Sequence, residues 1–106
     1  MPTQWARKAA LLTWVLYDIG DDRRRAKAAK ACKRLGLYRV QKSVFLGTLA
    51  GNELDELVVL LEPLVDPARD SLYAFPMCRP DFAKVVLLGQ AFDEKLVTDE
   101  LRTLLL

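Results

Sequence analysis

The stretch LTWVLYDIGDDRRRAKAAKACKRLG, Leu12 to Gly36, changes character once, and that change decides the fold. Leu12 to Ile19 is an apolar run rich in aromatic and β-branched side chains, the composition of a buried central strand. Gly20-Asp21-Asp22 breaks the run. Asp21 or Asp22 is placed to cap a helix, because a carboxylate there accepts from an amide that the first helical turn leaves unpaired. In the helix that follows, Ala28, Ala31, Cys32 and Leu35 share one face, small enough to lie close on a sheet, and Gly36 supplies the stop.

Working outward, LYRVQKSVFLGTL, Leu37 to Leu49, has β character and no helical period, so it predicts a short strand, a bend and a longer strand. Gly51 to Val65 predicts a second helix, with Leu54, Leu57, Val58, Leu60, Leu61, Leu64 and Val65 on one broad face and Pro63 and Pro67 marking its end. SLYAFPMC, Ser71 to Cys78, reads as another strand, and KVVLLG, Lys84 to Gly89, as a last short one after the Arg79-Pro80 turn. The predicted order is βαββαβ plus an additional C-terminal strand. That is an α+β, ferredoxin-like arrangement, in which two helices cover one face of an antiparallel sheet. The chain is read as a single domain over 1–106, with a core at about 12–89. Asp93 to Leu106 reads as a short helix or a partner-bound arm.

Composition narrows the chemistry. A chain of 106 residues, 52% hydrophobic, has room for one core and hence for one site. No apolar run reaches the roughly 18 residues a membrane span needs, and no small-residue cleavage site follows the first apolar stretch, so a cytoplasmic protein is expected. Histidine is absent, which removes the commonest general base and zinc ligand. Any catalysis must therefore rest on carboxylates with a hard metal. Cys32 and Cys78 have neither metal-ligand spacing nor the makings of a disulfide framework; both are expected to be reduced, Cys32 in the core. There is no Gly-rich phosphate loop, no GxSxG and no internal repeat.

The net charge of +2 hides an uneven distribution: Arg23 to Lys42 holds nine Lys or Arg and no acid, while Glu53 to Glu62 holds four acids and no base. On the first helix Arg23, Lys27, Lys30 and Arg34 fall in a narrow stripe away from the alanine face. Such a stripe can be simply a solvated face. A face serving solubility alone usually mixes signs, however, and this helix has no acid after its cap with which to pair. Contact with phosphates accounts for the one-sidedness better.

Asp18 is the odd residue of the apolar strand. A carboxylate at its end needs an amide, a cation or a metal to offset desolvation. One reading makes it a turn or cap residue at the sheet edge. The other makes it a metal ligand: a divalent ion lowers the pKa of bound water and neutralises charge on phosphoryl oxygens, and magnesium takes only one or two protein carboxylates beside waters and phosphate.

VLYDIGDDRRRAKAAKACKRLGLYRVQKSVFLGTL, then DSLYAFPMC and VVLLG, resemble the CRISPR-associated endoribonuclease two family over roughly Thr13 to Gly89. The specific parts are the strand-end YDI with DD and basic residues after it, RVQxSVF (Arg39 to Phe45), and DS-xxx-P-xC (Asp70 to Cys78). The resemblance implies a homodimer in which the last strand, within about 84–106, extends the partner's sheet. It also implies a Mg2+- or Mn2+-dependent endonuclease acting on RNA or duplex DNA in spacer acquisition and antiviral defence, with the CRISPR integrase, CRISPR-associated protein one, as partner. Asp18 then becomes catalytic residue and metal ligand, and a two-fold dimer would bring two copies of it together. The resemblance makes Arg25 and Arg39 phosphate contacts and Tyr17 and Phe45 positioning or packing groups; the stripe of Arg23, Lys27, Lys30 and Arg34, with the further cation Lys42, joins them as expected nucleic-acid contacts.

Gly20 stands where many members carry Ser or Thr, Lys42 where an aromatic is common, and Lys27 where some have a second Arg. The residues ahead of the first strand are an extension unusual for the family. Two other functions fit the same residues: a non-catalytic dimeric platform that holds DNA for the integrase, and a toxin-like endoribonuclease of the same fold.

Overall fold

Strand β1 (Leu11–Asp18) lies between two other strands and buries side chains on both of its faces, which is why its sequence is apolar on both. In this computed structural model, which describes residues 10–91, it is followed by α1 (Asp22–Arg34), β2 (Tyr38–Gln41), β3 (Val44–Leu49), α2 (Gly51–Leu61) with a 3-10 turn at Glu62–Leu64, β4 (Ser71–Met77) and α3 (Arg79–Phe82). The expectations for the N-terminal extension and for Asp93 to Leu106 lie outside the described residues. The sheet order is β2-β3-β1-β4 with antiparallel neighbours throughout, the ferredoxin-like topology the element order predicts.

Local chemistry sets the ends of each helix. The Asp21 carboxylate accepts from the Arg24 amide at 2.9 Å and caps α1. At the other end Gly36, at φ +88°, allows its own amide to reach the Lys33 carbonyl at 2.9 Å and the Leu37 amide to reach that of Cys32 at 3.1 Å. This is a Schellman closure, and the left-handed backbone it needs favours glycine. At the start of α2 the Glu53 carboxylate accepts from the Ala50 amide at 2.8 Å. Pro63 has no amide hydrogen to continue α2, which tightens into the 3-10 turn.

Both helices pack on the sheet face that carries Val15, Tyr17, Phe45 and Leu49, with Ala28, Ala29, Cys32, Leu57 and Leu61 facing them. The apolar face of α2 is narrower than its sequence suggests. Leu57 and Leu61 are buried, whereas Val58 is 44% exposed and lies outside the core. Leu12, Trp14, Val40 and Leu46 form a second cluster on the opposite face, where Phe82 of α3 and Val85 pack, with the Trp14 and Phe82 ring centroids 6.2 Å apart.

One predicted strand is absent from this sheet. Lys84 to Gly89 forms no ladder with any of the described residues; a turn at Lys84 leads into Val85 to Leu88 without assigned structure. A strand exists only where a neighbour supplies ladder partners, and this segment follows α3 away from the sheet's hydrogen-bonding edges. Val86 and Leu88 are 76% and 82% exposed, while Val85 packs on the second cluster. No helix among the described residues is long and apolar enough to cross a membrane.

Candidate functional site

β1 delivers Asp18 to the end of the sheet, where it pairs in register with Ser71 on one side, while pairing with β3 has already stopped at Leu16. The carboxylate is exposed, not desolvated as the apolar run implied. The strand ends there, and the loop that follows turns away and leaves it open to solvent. Among the described residues the Asp18 side chain accepts no hydrogen bond and forms no ion pair. The turn and cap duties that offered a purely structural reading of Asp18 are performed by other carboxylates: Asp21 caps α1, and Asp70 holds the loop.

Asp70 is the residue that sequence reasoning passed over. Its side chain is 2% exposed. One oxygen accepts from the Gly20 amide at 3.0 Å, and the other from the Asp66 amide at 2.8 Å and from the Arg24 guanidinium. Arg24 in turn donates to the Leu64 carbonyl at 2.8 Å. Only the DS pair that opens β4 signalled Asp70, and sequence separation hid every one of its distant partners. The Asp66 amide, then Arg24 and the Gly20 amide, hold its carboxyl at about 2. A carboxylate depressed in the folded state stabilises the protein fully above its unfolded value near 4, and that contribution is lost as pH falls from about 4 toward 2. The melting-temperature gap between wild type and Asp70→Asn is therefore expected to be widest above about pH 5 and to narrow steadily toward pH 2, as followed by thermal melts across that range.

The basic residues divide into engaged and free groups. Arg25 donates to the Ile19 carbonyl at 2.9 Å and pairs with Asp22. Arg24 pairs with Asp21 and Asp70. The expectation that α1 has no acid to pair with thus fails in its first turn, because Asp22 is a helical residue and Asp70 arrives from another segment. Arg23, Lys27, Lys30, Lys33 and Arg34 are exposed and in no ion pair among the described residues.

Arg39 lies opposite Phe45 across the β2–β3 hairpin. Its guanidinium sits 5.6 Å from the Phe45 ring centroid, and its Nε and Nη2 donate to the Lys42 carbonyl at 3.0 and 2.6 Å. Lys42 is exposed at the bend. Phe45 is fully buried and stacks on Tyr17 with centroids 6.2 Å apart. Burial first, then the Cys32 thiol, pushes the Tyr17 hydroxyl up to about 12, while Arg39 and Arg25 pull it the other way. Tyr17 and Phe45 are therefore packing groups beneath the arginines.

Two grooves follow from this arrangement. One, of about 530 Å³, is lined by Arg25, Lys30, Lys33 and Arg39 with Asp22 on its rim. Arg25, Lys30 and Arg39 were expected there; Lys33 was not, since it falls outside the stripe that the helical wheel picks out. The other, of about 270 Å³, runs between α1 and the end of α2 and is lined by Lys27, Lys30 and Arg34 over Leu60 and Leu64. Asp18 opens on a third cleft, of about 430 Å³, shared with Gly20, Asp21, Arg24, Arg69 and Asp70.

Among the described residues no group of three or more carboxylates or thiols gathers as a metal centre. Asp18 nevertheless fits the sparse ligation of magnesium or manganese, which keep most of their waters, because its carboxylate is exposed and has no other partner among the described residues. Asp70 does not fit, being occupied by three donors.

A family model described as CRISPR associated protein Cas2 matches residues 11–85. A CRISPR-associated endoribonuclease Cas2 of Korarchaeum cryptofilum is 37% identical over 84 residues, covering 79% of this chain and 90% of the relative. An endoribonuclease Cas2 of Archaeoglobus fulgidus is 39% identical over 69 residues, covering 65% of this chain and 73% of its own. Among solved structures, Streptococcus pyogenes Cas2 superposes with a TM-score of 0.62 at 26% identity, over 74% of this chain and all of that one.

Proposed function

The chain belongs to the CRISPR-associated protein Cas2 family, and on that premise we propose that it is a Mg2+- or Mn2+-dependent endonuclease that hydrolyses phosphodiesters of RNA or DNA in spacer acquisition and antiviral defence. The observation that carries this reading is the carboxylate of Asp18, exposed at a strand end and without a partner among the described residues. A carboxylate kept for structure would be hydrogen-bonded, as Asp21 and Asp70 are.

Asp18 would hold the ion with water and phosphate oxygens completing its shell. When bound, the ion supplies a water of lowered pKa and neutralises charge on the phosphoryl group. Arg25 and Arg39, already oriented by the Ile19 and Lys42 carbonyls, hold phosphates of the strand, and Lys30 and Lys33 extend the same groove. These contacts carry no base information, so RNA and DNA remain equivalent for them.

A second reading is favoured by the free cations of α1. Lys27, Lys30 and Arg34 line a groove distinct from the cleft of Asp18, which suits a platform that holds duplex DNA for the CRISPR integrase without cutting it. Cleavage of end-labelled RNA and duplex DNA in magnesium, abolished by EDTA, supports the nuclease. Tight, salt-sensitive duplex binding with no cleavage leaves the platform.

The active form is a homodimer. Val85 packs on the second cluster while Val86, Leu87 and Leu88 are exposed, and among the described residues the segment has no ladder partners. Adding to the edge of a second copy's sheet would satisfy those backbone groups and cover Val86 and Leu88. Val86→Lys is expected to weaken the dimer at least about tenfold, since it forces an ammonium into that seam. Light scattering after size exclusion checks this; a dimer as tight as wild type would rule out the seam.

A further inference from the structure

The two residues after Asp18 are held by side chains rather than by a ladder. The Ile19 carbonyl accepts from Arg25, and the Gly20 amide donates to Asp70. Glycine has the widest backbone freedom of any residue and no side chain with which to fix its own loop. Restraint at Gly20 must therefore come from outside, and among the described residues it comes from the Asp70 carboxylate.

Asp70 is suited to that task by what grips it. It precedes Ser71, the ladder partner of Asp18, so its backbone is fixed by the same strand pair that fixes Asp18. Its second oxygen is pinned by the Asp66 amide and by Arg24, and Arg24 is itself anchored to the Leu64 carbonyl. The β1–α1 loop, the first turn of α1 and the α2–β4 connection thus meet on one carboxylate. Because Arg24 offsets its charge, Asp70 borders the cleft of Asp18 without competing there for a cation.

We infer that Asp70 is a positioning residue for Asp18: through the Gly20 amide it sets the direction in which the Asp18 carboxylate faces its cleft. The inference rests on the nuclease reading and adds to it a residue that never touches substrate. Arg24 belongs to the same cluster but serves stability, since the hydrogen bond to Gly20 does not pass through it.

That difference gives a test with two variants. Asp70→Asn leaves one amide oxygen to serve three donors and loses its grip on Gly20, whereas Arg24→Gln keeps the carboxylate with its two amide donors. Both are expected to lower the melting temperature. Asp70→Asn is expected to lower kcat for RNA cleavage by about tenfold with KM within about twofold, an increase of about 1.4 kcal/mol in the barrier. Hydrogen exchange at the Gly20 amide, read by NMR without substrate or metal, should be accelerated in Asp70→Asn and unchanged in Arg24→Gln. An Asp70→Asn protein with wild-type kcat, exchange at Gly20 accelerated equally in the two variants, or a Gly20 amide still protected in Asp70→Asn would each overturn the inference. A wild type that does not cleave would overturn the nuclease reading and this inference with it, whereas active wild type beside equally active Asp70→Asn overturns the inference alone.

Discussion

Replacing Asp18 by asparagine is expected to lower phosphodiester cleavage at least about 100-fold, equivalent to about 2.7 kcal/mol of barrier, with no loss of stability. The carboxylate is exposed and without partners among the described residues, so its replacement falls in the class of surface changes worth no more than about 0.5 kcal/mol. Asparagine keeps the shape and an oxygen but not the charge that holds a divalent ion. Removing a negative charge beside a phosphate groove also leaves binding as tight as before or tighter. Rate measurements with thermal melts of the same preparation check both halves. A fall in melting temperature matching the loss of rate would return Asp18 to a structural role.

The largest effect on stability is expected at Phe45. Its ring is fully buried, stacked on Tyr17 and capped by the Arg39 guanidinium, at the point where β3, β1 and α1 meet. Phe45→Ala removes that ring and leaves a cavity the rigid sheet cannot close, a change worth about 3–5 kcal/mol. Against a total of about 5–15 kcal/mol for a domain, that is a large fraction of what holds the fold. The melting temperature should fall by roughly 15 °C or more for a chain of this length. Arg39 also loses the surface on which it lies, so residual folded protein should bind nucleic acid more weakly. A loss of under about 1 kcal/mol would show that Phe45 is not the centre of the core.

The two elements that carry Asp18 were readable because their signals are local. An apolar run interrupted by Gly20-Asp21-Asp22, then alanines at helical spacing, specifies β1, its end and the cap of α1 within a few residues. The Schellman closure at Gly36 and the hairpin over Tyr38 to Leu49 are local in the same sense. Asp70 was not readable, since its partners Gly20 and Arg24 lie 50 and 46 residues away and only the closed fold brings them together. Lys33 was missed for a related reason: a helical wheel ranks residues on one helix, whereas the groove includes Arg39 from the hairpin. Lys84 to Gly89 has the composition of a strand, but ladder partners decide whether a strand forms, and the described residues offer none.

In the proposed function one carboxylate performs the chemistry and a set of cations holds the strand. The measurement that tests this most directly follows binding and single-turnover cleavage of one labelled RNA and one duplex DNA, at about 50 and about 200 mM salt, by wild type, Asp18→Asn and the double variant Arg25→Gln/Arg39→Gln. Asp18→Asn is predicted to bind as wild type does and not to cleave. The double variant is predicted to bind more weakly, with its salt dependence shallower by about 1.4 on RNA and about 1.8 on duplex, the slope of two lost phosphate contacts. Wild-type cleavage by Asp18→Asn, or wild-type affinity and salt dependence in the double variant, would contradict it.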